Sequence, residues 1–280
     1  MVLIADSGSS KTDWRLMSGG DSVRAFKTAG FNPYFQTAEQ IYTEITTELL
    51  PQLETTAIRE IHFYGAGCST EKNCGIVKEG VGRLFPGAQI HVGHDLLAAA
   101  RALCGREPGI ACILGTGVNA CLYDGREITE ARPSLGFWLG DEGGGGWLGK
   151  TLVQHYFHGE MPAELSQAFT ETYNPALPAV LENAYKKPFP NSYFAGFSRF
   201  LSGHLHHSYA RQLIYDGFAL FLDRYVGKFA ACQQYPVSFT GSVAFHYREI
   251  LQKAAADRKI TLKNVLASPI DGLLDYHRNR

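Results

Sequence analysis

The sequence has little excess charge of either sign. Its 26 lysine and arginine residues and 27 acidic residues leave a formal net charge of −1. The basic residues are scattered, so no basic stripe indicates nucleic acid or an anionic membrane surface. Every apolar run falls far short of the roughly 20 residues that a membrane span needs. The sequence therefore predicts neither a nucleic-acid partner nor a membrane partner.

Cysteine is present in small number and in no diagnostic spacing. The six cysteines form no CxxC pair and no pattern typical of metal ligands. Several lie inside apolar runs, where a reduced thiol behaves as a small buried hydrophobic group. The segment Met1–Asp6 also lacks the basic flank and the long apolar region of a signal peptide. These absences predict reduced thiols and a cytoplasmic location.

The chain does contain enough apolar residues for a sizeable core. Of its 280 residues, 45% are hydrophobic and 19% are charged, which excludes general disorder. This length fits one large domain or two domains of ordinary size.

The pattern of strands and turns begins twice. Val2–Ala5 and Thr12–Met17 are predicted strands on either side of a short polar turn. After a break at Gly105–Gly109, the strands Ile110–Leu114 and Asn119–Tyr123 flank a glycine turn in the same way. Each half then continues with a third strand followed by alternating helices and strands. The distance between the two openings is the size of a domain, which indicates a duplicated domain.

This duplication predicts an α/β protein with two ribonuclease H-like domains of the actin/hexokinase type and a nucleotide cleft between them. The predicted N-terminal domain covers 1–108, joined by a C-terminal helix in 268–280, and the second domain covers 109–267. An ordinary doubly wound α/β protein is the alternative.

The first turn is typical of an anion-binding loop. Asp6 ends a strand and precedes small residues whose backbone N–H groups can approach a phosphate closely. The candidate phosphate-binding residues are Ser7, Gly8, Ser9, Ser10, Lys11 and Thr12. Asp6 is the candidate metal ligand, holding Mg²⁺ through water.

Two other interpretations of this turn remain open. The Ser-Lys-Thr sequence resembles the end of a Walker A loop, but the required spacing is absent and a strand follows instead of a helix. A hairpin turn with a purely structural role is the second alternative.

The second turn lies at the matching position of the second half. Gly115, Thr116 and Gly117 are its candidate phosphate-binding residues. Two such turns suit the phosphates of ATP, because phosphoryl transfer depends mainly on positioning and charge stabilisation. The pair predicts ATP and Mg²⁺ as cofactors.

These motifs and others resemble the BadF/BadG/BcrA/BcrD ATPase family, and within it the N-acetylglucosamine kinase-like members of the actin/hexokinase/Hsp70 superfamily. The resemblance covers essentially the whole chain. The matching segments are Asp6–Asp13, Gly30–Asn32, His94–Asp95, Leu114–Asn119, Leu139–Gly143 and Thr240–Val243.

The resemblance implies transfer of phosphate from ATP to the 6-hydroxyl of an amino sugar. It implies that Asp95 is the catalytic base and also touches the sugar, although Asp95 would also suit the cap of the following helix. The other implied sugar-binding residues are Asn32, Thr116, Gly117, Asn119, Leu135, Asp141 and Gly145. Gly241 and Ser242 are implied to lie beside the ribose and adenine.

Several of these positions also have plain structural interpretations. Asn32 before Pro33 is an ordinary turn signal. Asp141 suits the cap of a helix that begins near Gly144, and Ser242 suits an N-cap after a strand. The glycine run Gly143–Gly146 indicates a close approach of backbone to ligand, or a hinge.

The exact reaction is left open in three ways. Leu135 stands where the animal kinases place a tryptophan against the sugar. This departure leaves the exact sugar open: the resemblance implies N-acetylglucosamine first, and N-acetylmuramic acid is the alternative. An ATPase that activates an acyl-CoA dehydratase is an alternative from another class, although Thr240–Val243 contains no cysteine for an iron–sulfur cluster. The ligands are predicted to be a small-molecule sugar and ATP, and a homodimer is a further expectation.

Overall fold

The computed structural model of the chain divides into two compact units. It describes residues 1–8, 11–19, 22–53 and 57–278. The first unit comprises Met1–Glu107, Gly125–Glu127 and Pro269–Arg280, and the second comprises Pro108–Asp124 and Ile128–Ser268. It stays a prediction that 1–108 with 268–280, and 109–267, are domains that fold independently.

The first unit is built on a five-stranded mixed sheet. Its strands are β1 (Val2–Ser7), β2 (Lys11–Met17), β3 (Val23–Ala29), β4 (Glu60–Gly65) and β5 (Gln89–His94), in the order β3-β2-β1-β4-β5. β1 to β3 form an antiparallel meander, while β4 and β5 run parallel to β1. In the register of the parallel strands, Ser7, Gly65 and His94 lie in one row. The carboxyl ends of these three strands therefore meet at one edge of the sheet.

Alternation of side chains along β1 serves two cores, because successive residues of a strand point to opposite faces. Leu3 and Ala5 pack with Trp14 on one face, and Ile4 packs with Tyr64 on the other. By this alternation Asp6 shares the face of Ile4.

Six helices of the described part of the first unit cover the two faces of its sheet. They are α1 (Ala38–Glu44), a π-helical segment (Ile45–Leu49), α2 (Leu50–Leu53), α3 (Glu71–Gly82), α4 (Asp95–Cys104) and the terminal helix, called α13 (Ile270–Arg278). The terminal helix packs on α4, where a Cβ on Gly272 would lie 2.9 Å from the Cβ of Ala102. The two helices therefore approach closely on the Ile4 face.

The helical periodicity of Ile41–Leu50 predicts a helix that stops at Pro51, and that prediction is wrong. The helical chain continues through Pro51 to Leu53. A proline removes a backbone donor and disturbs the preceding turn. Here the π-helical segment Ile45–Leu49 ends two residues before Pro51, and the N–H of Leu50 donates to the carbonyl of Ile45, five residues back.

The second unit repeats the topology of the first. Its strands are β6 (Gly109–Leu114), β7 (Val118–Tyr123), β8 (Ile128–Ala131), β9 (Val237–Thr240) and β10 (Leu262–Leu266), in the order β10-β9-β6-β7-β8. β6 to β8 form the antiparallel meander, and β9 and β10 run parallel to β6. Counted from its own first strand, each sheet has the same order. The predicted α/β class and its duplication are confirmed.

The helices of the second unit form a larger layer than those of the first. They are α5 (Gly136–Leu139), α6 (Gly145–His158), α7 (Ala163–Tyr173), α8 (Leu177–Tyr185), α9 (Pro190–Gly203), α10 (Ser208–Arg224), α11 (Ser242–His246) and α12 (Arg248–Ala256). α6 and α9 touch through glycine: a Cβ on Gly149 would lie 2.7 Å from the carbonyl carbon of Phe194. None of the helices in the described part of the chain has the length and apolar character required to cross a membrane.

Candidate active site

The first turn joins β1 to β2 at the row where the parallel strands end. The N–H of Gly8 donates to the carbonyl of Lys11 at 2.9 Å and closes the turn. Gly8 and Lys11 are both exposed. The predicted phosphate-binding residues Ser9 and Ser10 lie outside the described residues.

The hydroxyls of Ser7 and Thr12 are buried at the base of this turn. The two oxygens lie 2.8 Å apart, and Thr12 donates to the carbonyl of Ala29 at 2.9 Å. The N–H of Phe31 donates to Ser7 Oγ at 2.9 Å. These bonds attach the segment after β3 to the hairpin. Both side chains therefore support the turn from below, and their phosphate contacts stay a prediction.

Two carboxylates lie side by side on the adjacent strands of this hairpin. Asp6 is paired with Asp13 in the register of β1 and β2, so their side chains share a face. Asp13 is buried, and Lys11 Nζ donates to its Oδ2 at 2.8 Å. Lys11, predicted to meet phosphate, thus neutralises a buried carboxylate next to the candidate metal ligand. Asp13 was not among the predicted site residues.

Asp95 is the first residue of α4, directly after the end of β5. Its Oδ1 accepts a hydrogen bond from the N–H of Leu96 at 2.8 Å. The residue that caps α4 is His94, whose Nδ1 accepts from the N–H of Leu97 at 3.3 Å. The alternative in which Asp95 serves as the cap is therefore wrong.

The electrostatic surroundings of Asp95 favour proton acceptance. Burial raises the pKa of the Asp95 carboxyl, and the Leu96 N–H and the adjacent His94 partly oppose that shift. A carboxylate with a raised pKa is a better proton acceptor than an exposed one. Burial also lowers the pKa of His94.

Asn32 lies in a tight turn after β3. Its Oδ1 accepts from the N–H of Tyr34 at 3.0 Å, and its N–H donates to Gln36 Oε1 at 2.7 Å. The predicted turn role is thus present. Gly67, in the loop after β4, has φ +79°, and a Cβ there would collide with the Asn32 side chain. Gly67 was missed by the prediction; the Gly-Ala-Gly sequence after a buried strand was the available signal.

The second turn, between β6 and β7, is held by the start of α6. The N–H of Gly115 donates to the carbonyl of Gly117 at 3.0 Å. The N–H groups of Gly145 and Gly146 donate to the carbonyls of Gly115 and Thr116 at 2.8 and 2.9 Å. These bonds use two of the donors that a helix N-terminus leaves unpaired. The turn and the helix start therefore form one rigid piece of backbone.

Asp141 approaches the same turn from the loop before α6. It is buried, and its Oδ1 accepts from the N–H of Val118 at 3.1 Å. A Cβ on Gly117 would lie 2.9 Å from Asp141 Oδ2, so only glycine fits there without movement. The N-cap of α6 is Gly144, without a side-chain cap bond. The alternative in which Asp141 caps this helix is wrong.

The backbone of Asp141 is in the left-handed region, with φ 57°. Such a conformation in a residue other than glycine stores about 1 kcal/mol or more and is common at functional sites. Burial raises the pKa of the Asp141 carboxyl; the Val118 N–H and Lys150 oppose that shift, and Glu142 adds to it. The fold therefore holds Asp141 in place although both its left-handed backbone and the burial of its carboxylate are unfavourable.

Glu142 fixes this loop from the other side. It is buried, forms an ion pair with Arg224, and accepts from the Tyr225 hydroxyl at 3.1 Å. Burial, with Glu142 adding to it, raises the pKa of Tyr225 to about 12. Lys150 donates to the carbonyl of Phe137 at 3.1 Å. These supporting residues were not predicted.

The glycine run before and within α6 is explained by contacts inside the chain. Gly143 has φ +80°, and a Cβ there would lie 2.7 Å from the carbonyl oxygen of Gly217 in α10. A Cβ on Gly144 would lie 3.0 Å from the carbonyl oxygen of Thr116. The predicted close approach exists at these positions, and its partner is the protein backbone itself.

Leu135 precedes the short helix α5 and is 57% exposed. Trp138 and Leu139 of that helix are also exposed, and the Trp138 ring stacks on Tyr185 at 5.9 Å. Leu135 thus belongs to an exposed apolar segment.

Two further predicted sugar-binding residues belong to the second turn. Thr116 is exposed at its tip, and Asn119 Oδ1 accepts from the N–H of Ala120 at 3.0 Å.

Gly241 lies between β9 and α11, against the end of β6. It has φ +122°, and a Cβ there would lie 2.6 Å from the carbonyl carbon of Leu114. Gly241 itself caps α11, so the alternative in which Ser242 is the N-cap is wrong. Ser242 is exposed. The structure thus brings Gly241 against the turn at Gly115.

The chain is similar to several solved structures. It matches a Porphyromonas gingivalis protein, provisionally assigned as an N-acetylglucosamine kinase, with 43% identity and a TM-score of 0.95, over 100% of this chain and 99% of that one. A Chromobacterium violaceum protein with the same provisional assignment has 18% identity and a TM-score of 0.74, over 98% of both chains.

A more distant match is a ROK-family glucokinase from Streptomyces griseus, solved with glucose and AMPPNP. It has 15% identity and a TM-score of 0.59, over 99% of this chain and 98% of that one. At this identity the likeness shows the fold alone, as does that of the Chromobacterium protein. No protein-family model matches the sequence, and no curated protein matches it.

Proposed function

We propose that this chain, which belongs to the same family of sugar kinases as the Porphyromonas gingivalis protein, transfers the terminal phosphoryl group of ATP to the 6-hydroxyl of N-acetylglucosamine. One observation carries the choice of substrate: 43% identity to that protein along the whole chain. Kinship with the BadF/BadG/BcrA/BcrD ATPases and a cytoplasmic location are further parts of the proposal.

The proposed phosphate ligands come from backbone N–H groups and from one cation. Gly8 and Lys11 are the exposed described residues of the first turn. A γ-phosphate there would compete with Asp13 for the Lys11 ammonium, which is bonded to it at 2.8 Å. In the second unit, the backbone of Gly115 and Gly117 is proposed to contact the phosphates. Gly241 and Ser242 are proposed to lie beside the nucleoside.

The carboxylates of the first hairpin fit a magnesium ion. Asp6 and Asp13 are neighbours on one face of β1 and β2, and Mg²⁺ binds through one or two carboxylates together with substrate phosphates. We assign Asp6 as the group that would hold the ion through water. When bound, the ion neutralises charge on the phosphates of ATP.

Asp95 is the proposed base for the sugar hydroxyl. Its carboxylate is fixed by the Leu96 N–H and lies at the positive end of α4. In a loose phosphoryl-transfer transition state it orients the 6-hydroxyl and accepts its proton late. The raised pKa of Asp95 suits this role.

Further side chains are proposed to contact the sugar. In the first unit, Asn32 has an amide nitrogen, Nδ2, that forms no hydrogen bond with the described residues. In the second, Asp141 accepts hydrogen bonds from sugar hydroxyls through its second oxygen. The remaining proposed contacts are those of Thr116, Gly117, Asn119, Leu135 and Gly145.

The direct test is ADP release in a coupled assay with a panel of sugars: N-acetylglucosamine, N-acetylmuramic acid, glucosamine and glucose. We expect the highest kcat/KM with N-acetylglucosamine. A preference for N-acetylmuramic acid would replace the substrate. Release of ADP at full rate without sugar would instead support the ATPase that activates an acyl-CoA dehydratase.

The role of Asp95 is tested with Asp95→Asn against Asp275→Asn. Asp275 is exposed on the terminal helix and forms no hydrogen bond or ion pair within the described residues. We expect Asp95→Asn to lower kcat by at least about 100-fold with little change in ATP affinity, since general-base catalysis contributes that much or more. Asp275→Asn should match the wild type. Unchanged turnover in Asp95→Asn would remove it as the base.

A further inference from the structure

A second group of ligand-type side chains lies in the first unit, away from the first turn. Glu60 and His62 are two residues apart on β4 and therefore share a face. The register of β4 and β5 places His91 directly beside His62. His62 Nε2 lies 2.9 Å from Glu60 Oε1, and His91 Nε2 lies 3.6 Å from the same oxygen. One ligand atom from each residue therefore falls within 4.8 Å of the other two.

These separations suit a small first-row metal ion. Zinc binds histidine nitrogen and carboxylate oxygen at about 2.0–2.2 Å, which places ligand atoms of a tetrahedral shell about 3.4 Å apart. The two measured contacts to Glu60, 2.9 and 3.6 Å, lie on either side of that value. Two histidines and one carboxylate are the protein ligands of open zinc sites, which keep a fourth position for water or another ligand.

One adjustment is required to bind an ion here. The imidazole planes of His62 and His91 are 6° apart, with ring centres at 4.9 Å, so both lone pairs cannot meet at one ion without a rotation. His91 is the ring that can rotate, because its side chain is 49% exposed. His62 is buried and stays in place, with its ring stacked on His277 of α13 at 3.9 Å.

The terminal helix supplies the outer support of this cluster. His277 Nε2 lies 2.9 Å from the Tyr64 hydroxyl, and Arg101 donates to that hydroxyl at 2.6 Å. Outer contacts of this kind fix the orientation of histidine ligands and affect metal affinity. The His277 ring that stacks on His62 is therefore bonded to Tyr64 of β4, whose hydroxyl also accepts from Arg101 of α4.

A cavity of about 680 Å³ adjoins the cluster, and His62 and His91 form part of its wall. Three cationic side chains, Lys78, Arg101 and Arg106, also line it, together with one carboxylate, Glu71. With one carboxylate and two neutral imidazoles, a bound divalent ion would keep one positive charge. The cationic wall then favours a small anion or hydroxide at the fourth position.

We propose that Glu60, His62 and His91 form a binding site for a divalent first-row transition-metal ion, with Zn²⁺ as the first candidate. The fourth coordination position of the ion would face this cavity. The site is separate from the proposed magnesium position at Asp6, because Mg²⁺ takes oxygen ligands while imidazole favours zinc, nickel and cobalt.

The test is a calorimetric titration of the untagged, full-length, metal-free protein with ZnCl₂, without sugar or nucleotide. We expect one saturable site per chain with a Kd in the micromolar range or below. His91→Gln should weaken it by at least about tenfold, since loss of even an outer contact weakens metal binding 10–100-fold. His158→Gln, in the other unit and exposed, is the matched control and should bind as the wild type does.

A second measurement guards against scattered binding to the ten histidines of the chain. Co²⁺ in place of Zn²⁺ should give the intense visible absorption of a tetrahedral site in the wild type and in His158→Gln, and lose it in His91→Gln. No saturable zinc binding by the wild type, or an equal Kd in His91→Gln, would overturn the proposal. Because neither readout involves phosphoryl transfer, the result is independent of the proposed kinase reaction.

Discussion

Replacing Gly149 with alanine should destabilise the second unit, although alanine is the better helix former. A Cβ at this position of α6 would lie 2.7 Å from the carbonyl carbon of Phe194 in α9, and closer still to its oxygen. Ordinary carbon–carbon contact requires about 3.5–4.0 Å, so the two helices must separate by about 1 Å. The atom in the way belongs to the backbone and cannot rotate aside.

The magnitude follows from two opposing terms. Overpacking of a well-packed core typically costs about 1–3 kcal/mol, and a rigid backbone contact places Gly149→Ala near the upper end. Helix propensity favours alanine over glycine by about 1 kcal/mol. The net loss is therefore about 2 kcal/mol, or about 4–8 °C in Tm at the 2–4 °C per kcal/mol expected for a unit of this size.

Gly196→Ala is the matched control because it makes the same change in the partner helix α9. A Cβ on Gly196 meets nothing within 4 Å. Only the propensity term applies, so we expect this variant to be stabilised by up to about 1 kcal/mol. Thermal unfolding followed by circular dichroism compares the two. Equal shifts in Tm for Gly149→Ala and Gly196→Ala would refute the packing argument.

Two further predictions concern the buried carboxylates. Because burial raises the pKa of Asp95 above its ordinary 3.8, this proposed base becomes protonated at a higher pH than an exposed aspartate would. The acid limb of a kcat/KM profile should therefore lie above that value, and a limb at or below it would contradict the assignment. Asp141 also has a raised pKa, so its charge opposes folding above its unfolded-state pKa. Asp141→Asn should therefore keep or raise Tm near neutral pH. It should also raise the KM for the sugar about tenfold or more, since a hydrogen bond to a charged group is worth about 1.5–3 kcal/mol. A fall in Tm with unchanged KM would assign Asp141 a structural role alone.

The duplicated sheets could be predicted from the sequence because their signals are local. Strands such as Ile110–Leu114 are short apolar runs bounded by turn residues, and β6 covers that predicted strand with one more residue at its start. The meander of each half follows from its glycine turns, which require the chain to reverse within a few residues. Finding the pattern twice supplied the topology.

The errors arise where the outcome depends on groups distant in the sequence or on competition between neighbours. His94 and Asp95 are both able to cap α4, and β5 continues as far as His94, so His94 takes that role. The bonds that join the Ser7 and Thr12 hydroxyls to a segment some 20 residues away also gave no signal in the sequence, while the phosphate contacts of these two residues stay a prediction. The position of a helix relative to Pro51 depends on a π-helical turn that has no composition signal.

The docking of α6 on the second turn has a consequence for amide exchange with solvent. The N–H groups at the start of a helix ordinarily exchange quickly, because they have no partner within the helix. Those of Gly145 and Gly146 are bonded to the carbonyls of Gly115 and Thr116 and lie in a buried part of the unit. Their protection therefore requires the turn and the helix to stay together, and their exchange should follow global unfolding of the second unit. In the first hairpin, by contrast, the exposed Gly8 amide should exchange by local opening, so that slower exchange at Gly8 would report a bound phosphate directly.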